Sequence, residues 1–161
     1  SYLGLKALSN KAKLKNKDKL FFVDKYYKPE LPLNLTKYLL KFANSSIDVS
    51  DGLIDDLAKM INRQSLSFHL YENKIPVSNK LSNLIKKQRL NKINLISNGD
   101  DYQVLFTADI NKARIIQKAS KTTGIKITKI GKIVSGKDRS LIFDEKGKQI
   151  QAKSKGYIHQ F

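Results

Sequence analysis

The sequence predicts an α+β fold, because segments with helical spacing of apolar residues are interspersed with short segments of strand-like alternation. Between residues 53 and 61 the apolar side chains fall on one face of a helix. Between residues 66 and 71 they alternate with polar side chains, as in a half-buried strand. We find no internal repeat and no clear linker. A length of 161 residues suits one compact domain, so a single domain over residues 1–161 is expected.

The predicted helices are the segments in which apolar residues recur every three or four positions. Pro32 suits the first turn of one of them, and Gly124 is a natural stop for another. Ser50 is the expected N-cap of the strongest helix, because its hydroxyl can accept from a free backbone amide. Residues 16–19 are predicted to form a loop. The predicted helices cover residues 3–14, 33–43, 50–61, 79–90 and 111–123.

The predicted strands cover residues 46–49, 66–71, 102–107, 125–134 and 140–143. The segment between the last two strands matches the spacing of a phosphate-binding loop, with Gly131, Gly136 and Lys137. Asp138 follows, however, where that loop has a hydroxyl residue, and a strand follows where that loop has a helix. We therefore reject a phosphate loop and expect residues 135–139 to form a hairpin connection.

The charge of the chain is strongly positive, with a formal net charge of +17 and a pI near 9.9. Such a charge is typical of nucleic-acid-binding proteins. Nearly all of it comes from lysine spread along the chain, whereas arginine is the residue suited to bidentate contacts with phosphates and bases. A solvated lysine-rich surface is favoured, and we expect no nucleic-acid partner. A basic, non-enzymatic nucleic-acid-binding module stays open as an alternative.

Membrane insertion and disulfide chemistry are not expected. No segment approaches the roughly 20 continuous apolar residues of a membrane-spanning helix. The chain has no cysteine, which excludes disulfides and thiolate metal sites and fits a reducing compartment. We therefore expect a cytoplasmic protein without a membrane partner.

Four of the fourteen acidic residues lie within nine positions of this basic chain, namely Asp48, Asp51, Asp55 and Asp56. Carboxylates in a first helical turn complement the helix dipole, which explains Asp55 and is an open alternative for Asp51. This does not explain Asp48, which lies at the end of an apolar strand before the helix begins. Asp48 and Asp51 would meet at one sheet edge, where their oxygens suit magnesium and its attached phosphates. The spacing alone leaves both interpretations open.

A second acidic segment, Asn98-Gly99-Asp100-Asp101-Tyr102, places two carboxylates in a turn directly before a strand. Loops at strand ends commonly carry ligand-binding residues. An ordinary turn, in which the aspartates bond their own backbone, accounts for the same pattern.

Four segments together resemble the C-terminal domain of thiamine-monophosphate kinases. Ser46-Ile47-Asp48-Val49-Ser50-Asp51-Gly52-Leu53 is similar to that family's signature, and residues 98–107 look like its Gly-Gly-Glu-Asp-Tyr-Glu-Leu-Leu-Phe-Thr. Residues 130–134 resemble its Ile-Gly-Arg-Ile-Val, and residues 156–161 its Gly-Tyr-Asp-His-Phe. The resemblance covers nearly the whole chain. It implies a mixed β-sheet covered by helices, as in the C-terminal domain of aminoimidazole ribonucleotide synthetase-like proteins.

The resemblance implies a role for five residues. Asp48 and Asp51 would bind Mg²⁺, and Ser50 would contact ATP. Asp100 and Tyr157 would contact thiamine phosphate, and an aromatic ring such as that of Tyr157 suits a cationic heterocycle. The implied reaction transfers the γ-phosphoryl group of ATP to thiamine phosphate, giving thiamine diphosphate. Its nucleophile is already an anionic oxygen, so no catalytic base is expected in this chain.

The chain also departs from the family pattern. Asp100 stands where the family has glutamate, which is one methylene longer, and Asn98, Gln103 and Ile158 also differ. The family's N-terminal domain, which carries further metal-binding aspartates and the main dimer contact, has no counterpart here. We therefore expect this chain to be inactive alone and to act with the missing N-terminal domain in a homodimer. The C-terminal half of another ATP-dependent synthetase of the same superfamily is the nearest alternative.

Overall fold

The computed structural model describes residues 2–61, 64–137 and 139–151. Within these ranges the chain forms seven α-helices and six β-strands, so the predicted α+β class is confirmed. The helices are α1 (Tyr2–Leu8), α2 (Asn16–Tyr27), α3 (Thr36–Leu39), α4 (Leu53–Met60), α5 (Asn79–Gln88), α6 (Lys92–Ile96) and α7 (Ala113–Thr123). The strands are β1 (Ser45–Asp48), β2 (Leu66–Tyr71), β3 (Val104–Thr107), β4 (Gly131–Ser135), β5 (Leu141–Phe143) and β6 (Gln149–Ile150). None of the described helices is long and apolar enough to cross a membrane.

The described strands form two sheets. The larger sheet has the order β4-β2-β5-β6, and β2 pairs antiparallel with β4 but parallel with β5. The mixed β-sheet implied by the family resemblance is thereby confirmed. The smaller sheet is an antiparallel pair of β1 and β3, in which Ser45 lies opposite Thr107 and Asp48 opposite Val104.

The main core connects the two sheets. It contains the apolar face of α4, which is the face predicted from sequence, together with side chains of β2, β5 and α6. Leu105 of β3 and Val49 at the end of β1 belong to the same buried cluster. Because each buried large aliphatic side chain contributes about 1.5–3 kcal/mol, this cluster fixes the ends of β1 and β3 against the larger sheet. The buried residues of the cluster are Val49, Leu53, Leu57, Ile61, Phe68, Leu70, Ile75, Ile93, Ile96, Leu105 and Ile142.

The N-terminal helices differ from the prediction. The predicted helix over residues 3–14 ends at Leu8, and residues 16–19 form the first turn of α2 instead of a loop. Asn10 has a left-handed backbone, with φ of 55°, which stops α1. Tertiary packing then decides α2, because Phe22 is buried against Leu3 of α1 and Leu84 of α5.

The predicted hairpin at residues 135–139 is wrong. Strand β2 lies between β4 and β5, so this segment crosses over β2 instead of joining two neighbouring strands. The buried Ser67 of β2 holds the crossing, since its hydroxyl donates to the carbonyl of Gly136 at 2.6 Å and accepts from the amide of Arg139 at 3.0 Å. Strand β5 follows this segment, where a phosphate loop would require a helix, so the rejection of a phosphate loop is confirmed.

Two short elements were not predicted, and one predicted strand is shorter than expected. Helix α6 begins after Asn91, whose side chain accepts from the amide of Asn94 at 2.9 Å and caps the helix. Strand β6 has only two residues, which is too short for a sequence pattern. The strand predicted over residues 125–134 is shorter in the structure, where β4 begins at Gly131 and residues 125–130 form no strand.

Candidate functional site

The two acidic segments predicted from sequence meet beside the end of β1. Pairing of β1 with β3 continues past both strands, because the amide of Val49 donates to the carbonyl of Gln103 at 2.8 Å, and that of Tyr102 to the carbonyl of Val49 at 2.8 Å. The amide of Asp100 then donates to the carbonyl of Ser50 at 2.8 Å. We call residues 48–52 and 98–102 the paired loops.

Two glycines allow the paired loops to touch through their backbones. A Cβ atom added at Gly99 would lie 1.7 Å from the carbonyl oxygen of Ser50. A Cβ atom added at Gly52 would lie 2.3 Å from the carbonyl oxygen of Ser97, and Gly52 also has a φ of 132°, which disfavours other residues. The glycines of the two sequence motifs are therefore required by two close backbone contacts, one of Gly99 with Ser50 and one of Gly52 with Ser97.

Asp56 holds the first of the paired loops in shape. Its side chain is buried, and its Oδ2 atom accepts from the amides of Ser50, Asp51 and Gly52 at 3.0, 2.9 and 3.1 Å. The expected N-cap role of Ser50 is wrong, because the residue directly before α4 is Gly52. Asp56, in the first turn of α4, instead accepts from the three loop amides that precede the helix. These three amides are not available to a phosphate group, so side chains or a metal ion would have to bind one here.

Lys59 contacts both Asp51, which lies in this turn, and Asp56, which holds it. Its Nζ atom contacts Asp51 Oδ2 and lies 3.2 Å from Asp56 Oδ1. The hydrogen bond to Asp51 is the main cause that raises the pKa of Lys59 above its ordinary value. Lys59 therefore stays positively charged beside a predicted metal ligand.

Tyr102 and Asp100 form the second half of the site. Both have left-handed backbones, with φ of 66° at Asp100 and 51° at Tyr102, a conformation that is uncommon outside functional sites and turns. The Tyr102 hydroxyl donates to Asp100 Oδ1 at 3.5 Å. The negative charge of Asp100 is the main cause that raises the pKa of Tyr102, with smaller contributions from burial, Tyr26 and Asp48. Asp48, Asp100 and Tyr102 thus lie in one electrostatic neighbourhood.

The segment after α2 lies against the same region. The side-chain amide of Gln103 donates to the carbonyl of Glu30 at 2.9 Å, and Tyr26 of α2 influences the pKa of Tyr102. No local sequence pattern predicts this contact, because 73 positions separate Gln103 from Glu30. The roles of Asp56 and Lys59 were also missed, although the periodicity of α4 places them one helical turn apart.

The predicted ligands can be compared with the needs of magnesium. Asp48 is exposed at the end of β1, and Asp51 lies in the following turn, where its side chain is partly exposed. Among the described residues, no group of three or more acidic or histidine side chains is arranged to hold a metal ion. Magnesium commonly takes one or two protein carboxylates and completes its shell with water and phosphate oxygens. Two aspartates fit that requirement.

Tyr157, the second predicted contact to thiamine phosphate, lies outside the described residues.

Comparisons with known proteins agree with these motifs. No protein-family profile matches the chain. The thiamine-monophosphate kinase of Buchnera aphidicola subsp. Schizaphis graminum is 32% identical over 161 residues, covering 99% of this chain and 49% of that enzyme. The thiamine-monophosphate kinase of Escherichia coli K12 is 28% identical over 160 residues, covering 99% of this chain and 49% of that enzyme.

Solved structures show the same relationship. The structure of AaThiL complexed with AMPPCP and TMP has a TM-score of 0.72 at 26% identity, covering 98% of this chain and 47% of that one. The thiamine monophosphate kinase of Aquifex aeolicus has a TM-score of 0.66 at 25% identity, covering 91% of this chain and 46% of that one. By sequence and by fold, the chain is a relative of the thiamine-monophosphate kinases and spans about half the length of those it matches.

Proposed function

We propose that this chain is the C-terminal half of a thiamine-phosphate kinase, which transfers the γ-phosphoryl group of ATP to thiamine phosphate and produces thiamine diphosphate. The observation that carries the proposal is the backbone contact between the paired loops, because it brings two acidic motifs to the end of one strand pair. The relatives named thiamine-monophosphate kinase and the AaThiL complex with AMPPCP and TMP support the choice of substrates.

Asp48 and Asp51 are the residues that would hold Mg²⁺, and Ser50 between them would contact ATP. A bound magnesium ion would neutralise part of the negative charge on the nucleotide phosphates. Asp56 keeps the turn rigid through three amide hydrogen bonds, so that the positions of Ser50 and Asp51 are set before a ligand arrives.

Asp100 and Tyr157 would contact thiamine phosphate. Asp100 is fixed by the hydrogen bond that its backbone amide donates to the carbonyl of Ser50, which orients the substrate-binding loop relative to the nucleotide-binding turn. The accepting phosphate is already an anion, so the reaction depends on positioning and charge neutralisation and needs no general base. Residues 1–161 would act as one substrate- and nucleotide-binding domain.

We further propose that the chain works in the cytoplasm together with an N-terminal domain, as a homodimer. The relatives are about twice as long as the matched segment, which supports a second half of similar size. The chain alone is expected to show little or no turnover, because further metal-binding aspartates would belong to the other domain.

Thermal unfolding tests the choice of substrate. The chain is combined with the complementary half of the Buchnera aphidicola relative, and its unfolding temperature is measured with and without thiamine phosphate in the presence of magnesium and a non-hydrolysable ATP analogue. Binding to the folded state alone raises the unfolding temperature. Protection by thiamine phosphate, with none by aminoimidazole ribonucleotide, supports the proposal; equal protection by both contradicts it.

A further inference from the structure

Lys59 contacts the carboxylate of Asp51, which is proposed to bind magnesium. Its ammonium group contacts Asp51 Oδ2, and it lies 3.2 Å from Asp56 Oδ1. The other oxygen of Asp56 accepts three backbone hydrogen bonds, so Asp56 is fixed in the turn. The ammonium group is therefore shared between one immobile carboxylate and one that belongs to the candidate ligand pair.

The exposures of the three side chains indicate which of them can move. The side chain of Asp56 is 2% exposed, that of Asp51 is 24% exposed, and that of Lys59 is 50% exposed. Lysine carries its charge on a flexible four-carbon stem, so it can leave Asp51 for solvent without a change of the backbone. Asp56 cannot leave, because three amides would lose their acceptor.

The charges favour an exchange. Asp51 and Asp56 carry two negative charges, and Lys59 compensates for one of them. A divalent cation that binds Asp51 would lie close to the ammonium group, where like charges repel, unless it displaces that group.

We propose that Lys59 is a built-in counter-ion that competes with the divalent cation for Asp51 and thereby sets the affinity of the site for that cation. This inference rests on the proposed function, in which Asp51 is a metal ligand. Lys59 keeps Asp51 paired when no divalent cation is bound, and it swings towards solvent when one binds. It is a positioning residue in this account, because it acts through Asp51.

Mn²⁺ binding to the 161-residue chain, followed by electron paramagnetic resonance of the free ion, tests the proposal without any need for turnover. Four proteins are compared: the unchanged chain, Lys59→Met, Asp51→Asn and the control Lys87→Met. Lys87 is an exposed lysine of α5, so its replacement removes the same charge away from the site. Thermal unfolding of each protein confirms that it is folded.

Lys59→Met is expected to bind Mn²⁺ about fivefold more tightly than the unchanged chain, because one adjacent positive charge is lost. Lys87→Met should match the unchanged chain, and Asp51→Asn should bind more weakly. If Lys59→Met binds no more tightly than Lys87→Met while Asp51→Asn is weakened, the inference is overturned and the metal site stands. If Asp51→Asn binds as well as the unchanged chain, the metal assignment in the proposed function fails. The absence of Mn²⁺ binding in Lys59→Met overturns the inference as well.

Discussion

Gly99 lies so close to Ser50 that a Cβ atom at Gly99 would be 1.7 Å from the Ser50 carbonyl oxygen. The amide of the next residue, Asp100, donates to the same oxygen at 2.8 Å. The candidate nucleotide-binding turn and the candidate substrate-binding loop are therefore one packed unit, and a change in either is transmitted to the other through the backbone.

Replacement of Gly99 by alanine should destabilise the protein by more than about 2 kcal/mol, because the added methyl group collides with backbone atoms that cannot rotate away. Gly124→Ala is the matched control: Gly124 has a φ of 70° but open space around it, so only the backbone cost of about 1 kcal/mol is expected. Urea unfolding measures both free energies. Equal losses would show that the contact between the paired loops does not constrain the fold.

Asp56→Ala should lower the free energy of unfolding by about 3 kcal/mol, since three loop amides lose their shared acceptor in a buried position. Asp55→Ala removes a neighbouring carboxylate that only complements the helix dipole, with an expected effect below about 1 kcal/mol. Chemical denaturation of the two variants gives the comparison. A loss at Asp56 no larger than that at Asp55 would contradict the role assigned to Asp56.

Ser67→Ala should cost about 1–3 kcal/mol, because the hydroxyl that joins the carbonyl of Gly136 to the amide of Arg139 is lost in a buried site. Ser46→Ala, at an exposed position of β1, should have little effect. Thermal unfolding of both variants tests whether Ser67 holds the crossing over β2, and similar unfolding temperatures would argue against it.

Asp100→Asn should lower the pKa of Tyr102 towards its ordinary value, because the charge of Asp100 is the main cause of the raised pKa. Alkaline titration of tyrosine absorbance, with Tyr102→Phe used to identify the transition, measures the shift. A tyrosine whose pKa is raised in the folded state binds its proton more tightly there. Its contribution to stability is therefore present below the unfolded pKa and is lost as the pH rises through the folded pKa. If the pKa of Tyr102 is unchanged in Asp100→Asn, the charge of Asp100 is not the cause of the raised pKa.

The acidic motifs were predictable from sequence, but the way they are held was not. The apolar face of α4 and the strand that ends at Asp48 follow from local periodicity, which a single sequence displays. The contact of Gly99 with Ser50 joins residues 49 positions apart, and the pairing of β1 with β3 depends on a core that no local pattern reveals. Asp56 shows the same limit: its place in the first helical turn is evident, whereas its three amide partners become evident only once the turn is folded.

The predictions for the N-terminal helices and for residues 135–139 were wrong for related physical reasons. Helix α2 has a weak apolar face and owes its position to the burial of Phe22 against α1 and α5. The segment at residues 135–139 has ordinary turn composition, and only the insertion of β2 between β4 and β5 makes it a crossover. Strand order depends on the whole sheet, so local turn chemistry misassigned it.

Phosphoryl transfer from γ-labelled ATP to thiamine phosphate tests whether Asp48 and Asp51 hold the magnesium ion that the reaction needs. The chain is assembled with the complementary half of the Buchnera aphidicola relative. Turnover is measured with magnesium for the unchanged chain, for the double variant Asp48→Asn with Asp51→Asn, and for Asp55→Asn. We expect the double variant to lose roughly 100-fold or more in turnover, while Asp55→Asn stays active. Undiminished magnesium-dependent turnover in the double variant would contradict the assignment of these two aspartates.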